Sequence, residues 1–126
     1  MHFLSTITIP REHEEALLRD LHQHMRENGH TYETTDVAEL LSDWYDWYCE
    51  FETDKIVSLQ PYHDLVEDHP DEWLEVCKIL ASYAPEGSVL AWGDKDRSFR
   101  FFFTAGQVAF QIGVYQDQPL SEVSDL

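Results

Sequence analysis

Five carboxylates, Asp36, Glu39, Asp43, Asp46 and Glu50, recur at intervals of three, four, three and four residues. On a helix that spacing places them along one side, and two kinds of chemistry could use such a side. Paired carboxylates can share acid and base work, as in glycoside hydrolysis. A row of them can also present negative charge to something basic. The first use needs a companion nucleophile, base or glycine-lined pocket to single out one pair. The segment 36–52 instead supplies six acids with no Lys or Arg. No catalytic residue is assigned among them, and a non-enzymatic role is expected.

The other reactive side chains add little. Among seven histidines, His13-Glu14-Glu15-Ala16-Leu17 lacks the second histidine of a helical zinc-protease motif, and His22 and His24 point to different sides of their helix. There is no Gly-x-Ser-x-Gly, no glycine-rich phosphate loop and no Cys-x-x-Cys. Cys49 lies beside Glu50 and several aromatic residues, surroundings that disfavour the thiolate. Neither a metal nor a cofactor is expected.

Charge narrows the choice of partner. The chain has 25 Asp and Glu against 8 Lys and Arg, a formal net charge of −17. Between Glu33 and Glu75 stand 14 acids and one base, Lys55; the other 83 residues carry 11 acids and 7 bases. Such a field repels phosphate backbones and anionic membranes while steering basic partners inward. Direct nucleic-acid binding is not expected, and neither is a membrane, because no apolar run approaches the roughly 20 residues of a span. Two cysteines in predicted helices, and no basic-then-apolar leader, point to a cytoplasmic protein with reduced thiols. A hydrophobic fraction of 43% across 126 residues suits a single folded domain, 1–126, with 117–126 as a loose tail.

The elements that would position the acids follow from periodicity. Residues 2–10 alternate as a strand, with Phe3, Ser5, Ile7 and Ile9 on one face. Residues 11–29 form a helix on Leu17, Leu18, Leu21 and Met25, stopped by Asn28-Gly29. "DVAELLSDWYDWYCEFE", 36–52, predicts a second helix capped by Thr35 or Asp36. Its apolar arc of about 120° comprises Val37, Leu40, Leu41, Trp44, Trp47, Tyr48 and Phe51. Residues 55–62 read as a short strand whose Pro61 argues for an edge or an exit. Residues 69–87 give a third helix from Pro70, ended by Pro85 and Gly87. The remainder is a meander: 88–92, a turn, 97–103, a turn, then 108–116. The fold class is α+β, three main helices packed on an antiparallel sheet that includes this C-terminal three-stranded meander.

On that helix the five acids would span about 21 Å at 1.5 Å per residue, a row comparable to phosphates along a nucleic-acid strand. Unrelieved like charges at i, i+3 and i+4 cost a few tenths of a kcal/mol per pair, and solubility alone does not require this arrangement. Acids at Asp64, Glu67, Asp68, Asp71, Glu72 and Glu75 would extend the surface if the third helix lay alongside. Tyr45, at the margin, could stack on an arginine. The expected partner-binding residues are thus Asp36, Glu39, Asp43, Asp46, Glu50 and Tyr45.

The ending "APEGSVLAWGDKDRSFRFFFTAGQV" resembles the helix-then-hairpin termini of small phage and bacterial proteins. The acidic, motif-free chain as a whole is similar in character to phage-encoded inhibitors, including anti-CRISPR proteins and DNA mimics. That resemblance implies an inhibitor, in a bacterial host cell, of a basic protein or nucleoprotein complex that binds nucleic acid; it assigns no residue. The alternatives are an immunity-type inhibitor of a basic toxin, or a small housekeeping domain whose acids only solubilise it. A surface coated with acid for salt adaptation fits the clustering less well. Apolar residues left outside the core would give room for a homodimer.

Overall fold

The computed structural model describes residues 3–62, 70–94 and 97–114. The expected tail at 117–126 and the acids Asp64, Glu67 and Asp68 lie outside these residues. The protein is α+β: the described residues form three α-helices and two antiparallel sheets of four and three strands, where one sheet was expected.

The expected first strand is shared between the two sheets. Strand β1 (Phe3–Ser5) pairs with β5 (Val89–Asp94), and β2 (Ile9–Pro10) pairs with β4 (Lys55–Pro61). Between them the chain crosses over: Ser5 Oγ donates to the Leu59 carbonyl at 2.6 Å, and the Thr6 amide to the Val89 carbonyl at 2.9 Å. Ile7 and Ile9 are fully buried there. Alternation predicts extended backbone but does not say which sheet each half joins.

A short 3₁₀ turn (Arg11–His13) leads into α1 (Glu14–Glu27). Leu17, Leu21 and Met25 form its buried stripe, and Gly29 follows with φ 79°, the left-handed conformation that helix ends favour. Helix α3 (Pro70–Leu80) buries Trp73, Val76, Cys77 and Leu80. The meander forms as expected: β5, β6 (Arg97–Thr104) and β7 (Gln107–Val114) continue the order β1-β5-β6-β7. Ala105 and Gly106 make its tight turn, both with positive φ. Trp73 meets Phe3 and Trp92 edge to face, at centroid separations of 5.4 and 5.1 Å, fixing α3 on this sheet.

The largest departure lies at 36–52. Helix α2 covers only Val37–Leu40 and widens into a π-helical turn over Leu41–Tyr45. At Asp46 the backbone enters the left-handed region (φ 60°, ψ 41°) and the helix ends. Trp47–Phe51 then forms β3, paired with β4. Asp is among the few residues that tolerate this conformation, and the Asp46 carbonyl is bound by the Tyr62 amide at 3.0 Å. Aromatic residues at Trp47, Tyr48 and Phe51 suit a strand, and their spacing satisfies a helical wheel equally well. Of the supposed anchors, Trp47 is 1% exposed, whereas Trp44 and Phe51 are 38% and 39% exposed.

Strand β4 is central in the order β2-β4-β3, but β2 pairs only with Lys55 and Ile56; Pro61, the last residue of β4, is paired with β3 alone, as an edge or exit position allows. The register of β4 against β3 slips between Tyr48 and Glu50, where Ser58 and Leu59 together oppose Cys49. Ser58 takes φ 56°. This bulge lets Ile56 and Leu59, three apart, both point into the core. Among the described residues, no helix is long and apolar enough to cross a membrane.

The turn at Asp46 yields a direct test. Replacing Asp46 with Val, which resists positive φ, is expected to lower stability by about 1–2 kcal/mol, whereas Asp46→Asn stays within about 0.5 kcal/mol of the parent. Urea unfolding midpoints of both variants measure the difference. Equal midpoints would mean that the backbone there is not held left-handed.

Candidate binding surface

The six expected site residues fall into three groups, not one row. Asp36 caps α2: its side chain accepts from the Ala38 amide at 2.9 Å, as expected of an N-cap. Glu39 and Asp43, one turn apart, converge on Tyr32. The Tyr32 hydroxyl lies 2.9 Å from a carboxylate oxygen of each. A phenol has one proton, so it satisfies one carboxylate at a time. The ionised pair holds that proton on Tyr32, whose pKa is raised chiefly by the hydrogen bond to Asp43 and then by that to Glu39. Tyr32 was not among the expected residues: it stands 7 and 11 residues before Glu39 and Asp43, outside the helix that carries them, so helical spacing gives no signal of it.

A cavity of about 630 Å³ opens beside this pair, with His22, Arg26, Tyr32, Thr34 and Glu39 in its walls. His22 Nε2 donates to the Thr34 carbonyl at 2.8 Å, tying α1 to the segment before α2.

Beyond the helix end, Tyr45 and Asp46 face α1 and α3, and Glu50 has moved onto β3. Tyr45 is a strut more than a margin. Its hydroxyl donates to the Leu21 carbonyl at 2.8 Å and accepts from His24 Nδ1 at 3.1 Å, and burial pushes its pKa up to about 12. Glu50 accepts from the Tyr48 hydroxyl two residues away, a contact that a strand allows across the bulge.

All five acids are exposed, and none makes an ion pair among the described residues. Of the cations nearest in sequence, Lys55 is paired with Glu52, while Arg26 makes no ion pair among the described residues and shares the wall of the cavity of about 630 Å³ with Glu39. No group of three or more His, Cys, Asp or Glu among the described residues is placed to hold a metal ion. Both thiols are pushed up, Cys49 to about 11 by burial and then by the charges of Asp36, Glu14 and Glu50, and Cys77 by burial alone.

These shifts set an alkaline limit. Cys49 rises from 9.0 to about 11 and Tyr45 from 10.0 to about 12, so the unfolded chain releases both protons first. From about pH 9 to pH 12 the native state therefore binds more protons than the unfolded state, and stability falls as pH rises. Thermal melts across that range are expected to show falling Tm, and Cys49→Ser should make the fall shallower without moving its onset, because the buried Cys77 thiol also loses its proton first in the unfolded chain. A Tm that is flat across the range would contradict the burial of both groups.

In comparisons with protein-family models, curated proteins and solved structures, nothing matches this chain.

Proposed function

We propose that the protein is a non-enzymatic acidic binding protein that inhibits a nucleic-acid-binding partner by offering carboxylates to the Lys and Arg that the partner uses for phosphate. The observation that carries this reading is the exposure of Asp36, Glu39, Asp43, Asp46 and Glu50 without an ion pair among the described residues. A folded protein gains solubility as readily from mixed charges. Uncompensated acids weaken the fold slightly and strengthen attraction to a basic surface within a Debye length of about 8 Å.

The break at Asp46 changes how the charge is offered. A straight row of about 21 Å is replaced by a pair gathered on Tyr32, a cap at Asp36, and acids beyond the turn. The reading therefore rests on sign, exposure and lack of counter-ions, not on phosphate-like spacing.

The double reversal Glu39→Lys/Asp43→Lys spares the cap and the left-handed turn. Proteins captured from bacterial lysate by the parent at low salt are expected to be basic, to be released by duplex DNA, and to bind the double variant at least about tenfold more weakly. Capture that survives both DNA competition and the reversal, with circular dichroism unchanged, would reject the proposal and leave the acids as solubilising groups.

A further inference from the structure

A second cavity, of about 410 Å³, lies between the end of α2, the exit of β4 and α3. This size is ample for one side-chain head group. Its walls combine two chemistries: the rings of Trp44, Tyr62 and Trp73, and the carboxylates of Asp46, Glu72 and Glu75. Among the described residues no Lys or Arg lines it. We propose that this cavity binds a guanidinium group.

Each wall is held before any ligand arrives. Trp73 is packed against Phe3 and Trp92 and is 9% exposed, a fixed floor. Trp44 stays open but rests against His30 at a centroid separation of 4.6 Å. The Tyr62 hydroxyl is hydrogen-bonded with Ser42 Oγ at 2.9 Å, and its amide binds the Asp46 carbonyl. Asp46 is thus set by its backbone turn and by its neighbour across the mouth.

The charges differ in availability. Glu75 is shared with Lys78 at 3.4 Å and approaches His24 Nε2 at 3.9 Å. Asp46 and Glu72 make no ion pair among the described residues. An anion would meet three carboxylates, and a neutral apolar group would desolvate them without return. A cation gains from both walls, through ring faces and through charge.

Among cations, the carboxylates favour one with N–H donors over a quaternary ammonium. A guanidinium is flat enough to stack on an indole while its edge forks onto a carboxylate, and it sheds water more readily than an ammonium. It could come from an arginine of a basic protein or from a free guanidino compound. The first source rests on the proposed function; the chemistry of the cavity does not.

Titration of the full chain with Nα-acetyl-arginine amide, followed by tryptophan fluorescence and by NMR, tests the site. Saturable binding in the millimolar range is expected, weakened at least about tenfold by Trp44→Ala and by Asp46→Asn, with Nα-acetyl-lysine amide binding about tenfold more weakly. Asp46→Asn keeps a residue that tolerates the left-handed turn, so its loss reports the charge. No saturable arginine signal, or binding by the Asp46→Asn and Trp44→Ala variants as tight as by the parent, or a lysine probe that binds as tightly as the arginine probe, would overturn the assignment. The Glu39→Lys/Asp43→Lys variant is expected to keep the arginine response, so failure of the acidic-surface reading and failure of this one are separable. Methylguanidine, which like the blocked arginine carries one charge, would point to a free guanidino compound if it bound tighter than the blocked arginine, and the reverse order would point to a protein side chain.

Discussion

The left-handed residue at Asp46 is the constraint on which the surrounding architecture depends. One backbone conformation stops α2 after a single widened turn and sends the next five residues out as β3. Without that turn, β4 would lose its partner on one side, and Trp47 would lie on a helix instead of inside the core. The Tyr62 amide closes the junction by binding the Asp46 carbonyl, so the two ends of the β3–β4 hairpin are held together by the same residue that ends the helix. Burying Trp47 has a cost: its indole N–H finds no acceptor among the described residues, a loss of about 1–3 kcal/mol. Removing so large an aromatic surface from water offsets it.

The same economy of local irregularity recurs in the small sheet. A regular β4 would alternate its side chains, so Ile56 and Leu59 would face opposite ways. The bulge at Ser58 reverses that parity, and both become buried. The crossover at Ser5 and Thr6 then ties this sheet to the larger one through Leu59 and Val89. The core is continuous because the backbone departs from ideal strands at these points.

Legibility in the sequence follows from the same physics. Helix α1 and the meander were readable because each uses one period throughout: Leu17, Leu21 and Met25 at helical spacing, Phe99, Phe101 and Phe103 in alternation. The segment 36–52 was not, because Trp44, Trp47 and Phe51 fit a helix while Trp47, Cys49 and Phe51 fit a strand, and a lone Asp carries no mark of positive φ. Spacing did mark the acids as exposed and left the cap to Thr35 or Asp36, of which the structure uses Asp36. It could not show that Tyr32 gathers Glu39 and Asp43, or that Trp44 and Asp46 line one cavity with residues of α3, since such arrangements depend on tertiary closure.

The break also decides where charge can accumulate. On a continuous helix the five acids would repel one another along its length. The turn carries Glu50 away from the others, onto β3; before it, Glu39 and Asp43 share the one proton of Tyr32 and Asp36 is bound to the Ala38 amide, while Glu50 is bound to Tyr48. Each hydrogen bond delocalises some charge without cancelling it, because a neutral donor leaves the net charge unchanged. An acid neutralised by Lys or Arg would be lost to a partner; one steadied by a hydroxyl or an amide remains available and is better positioned. The phenols at Tyr32 and Tyr48 therefore stabilise an anionic surface while preserving the feature a basic partner would recognise.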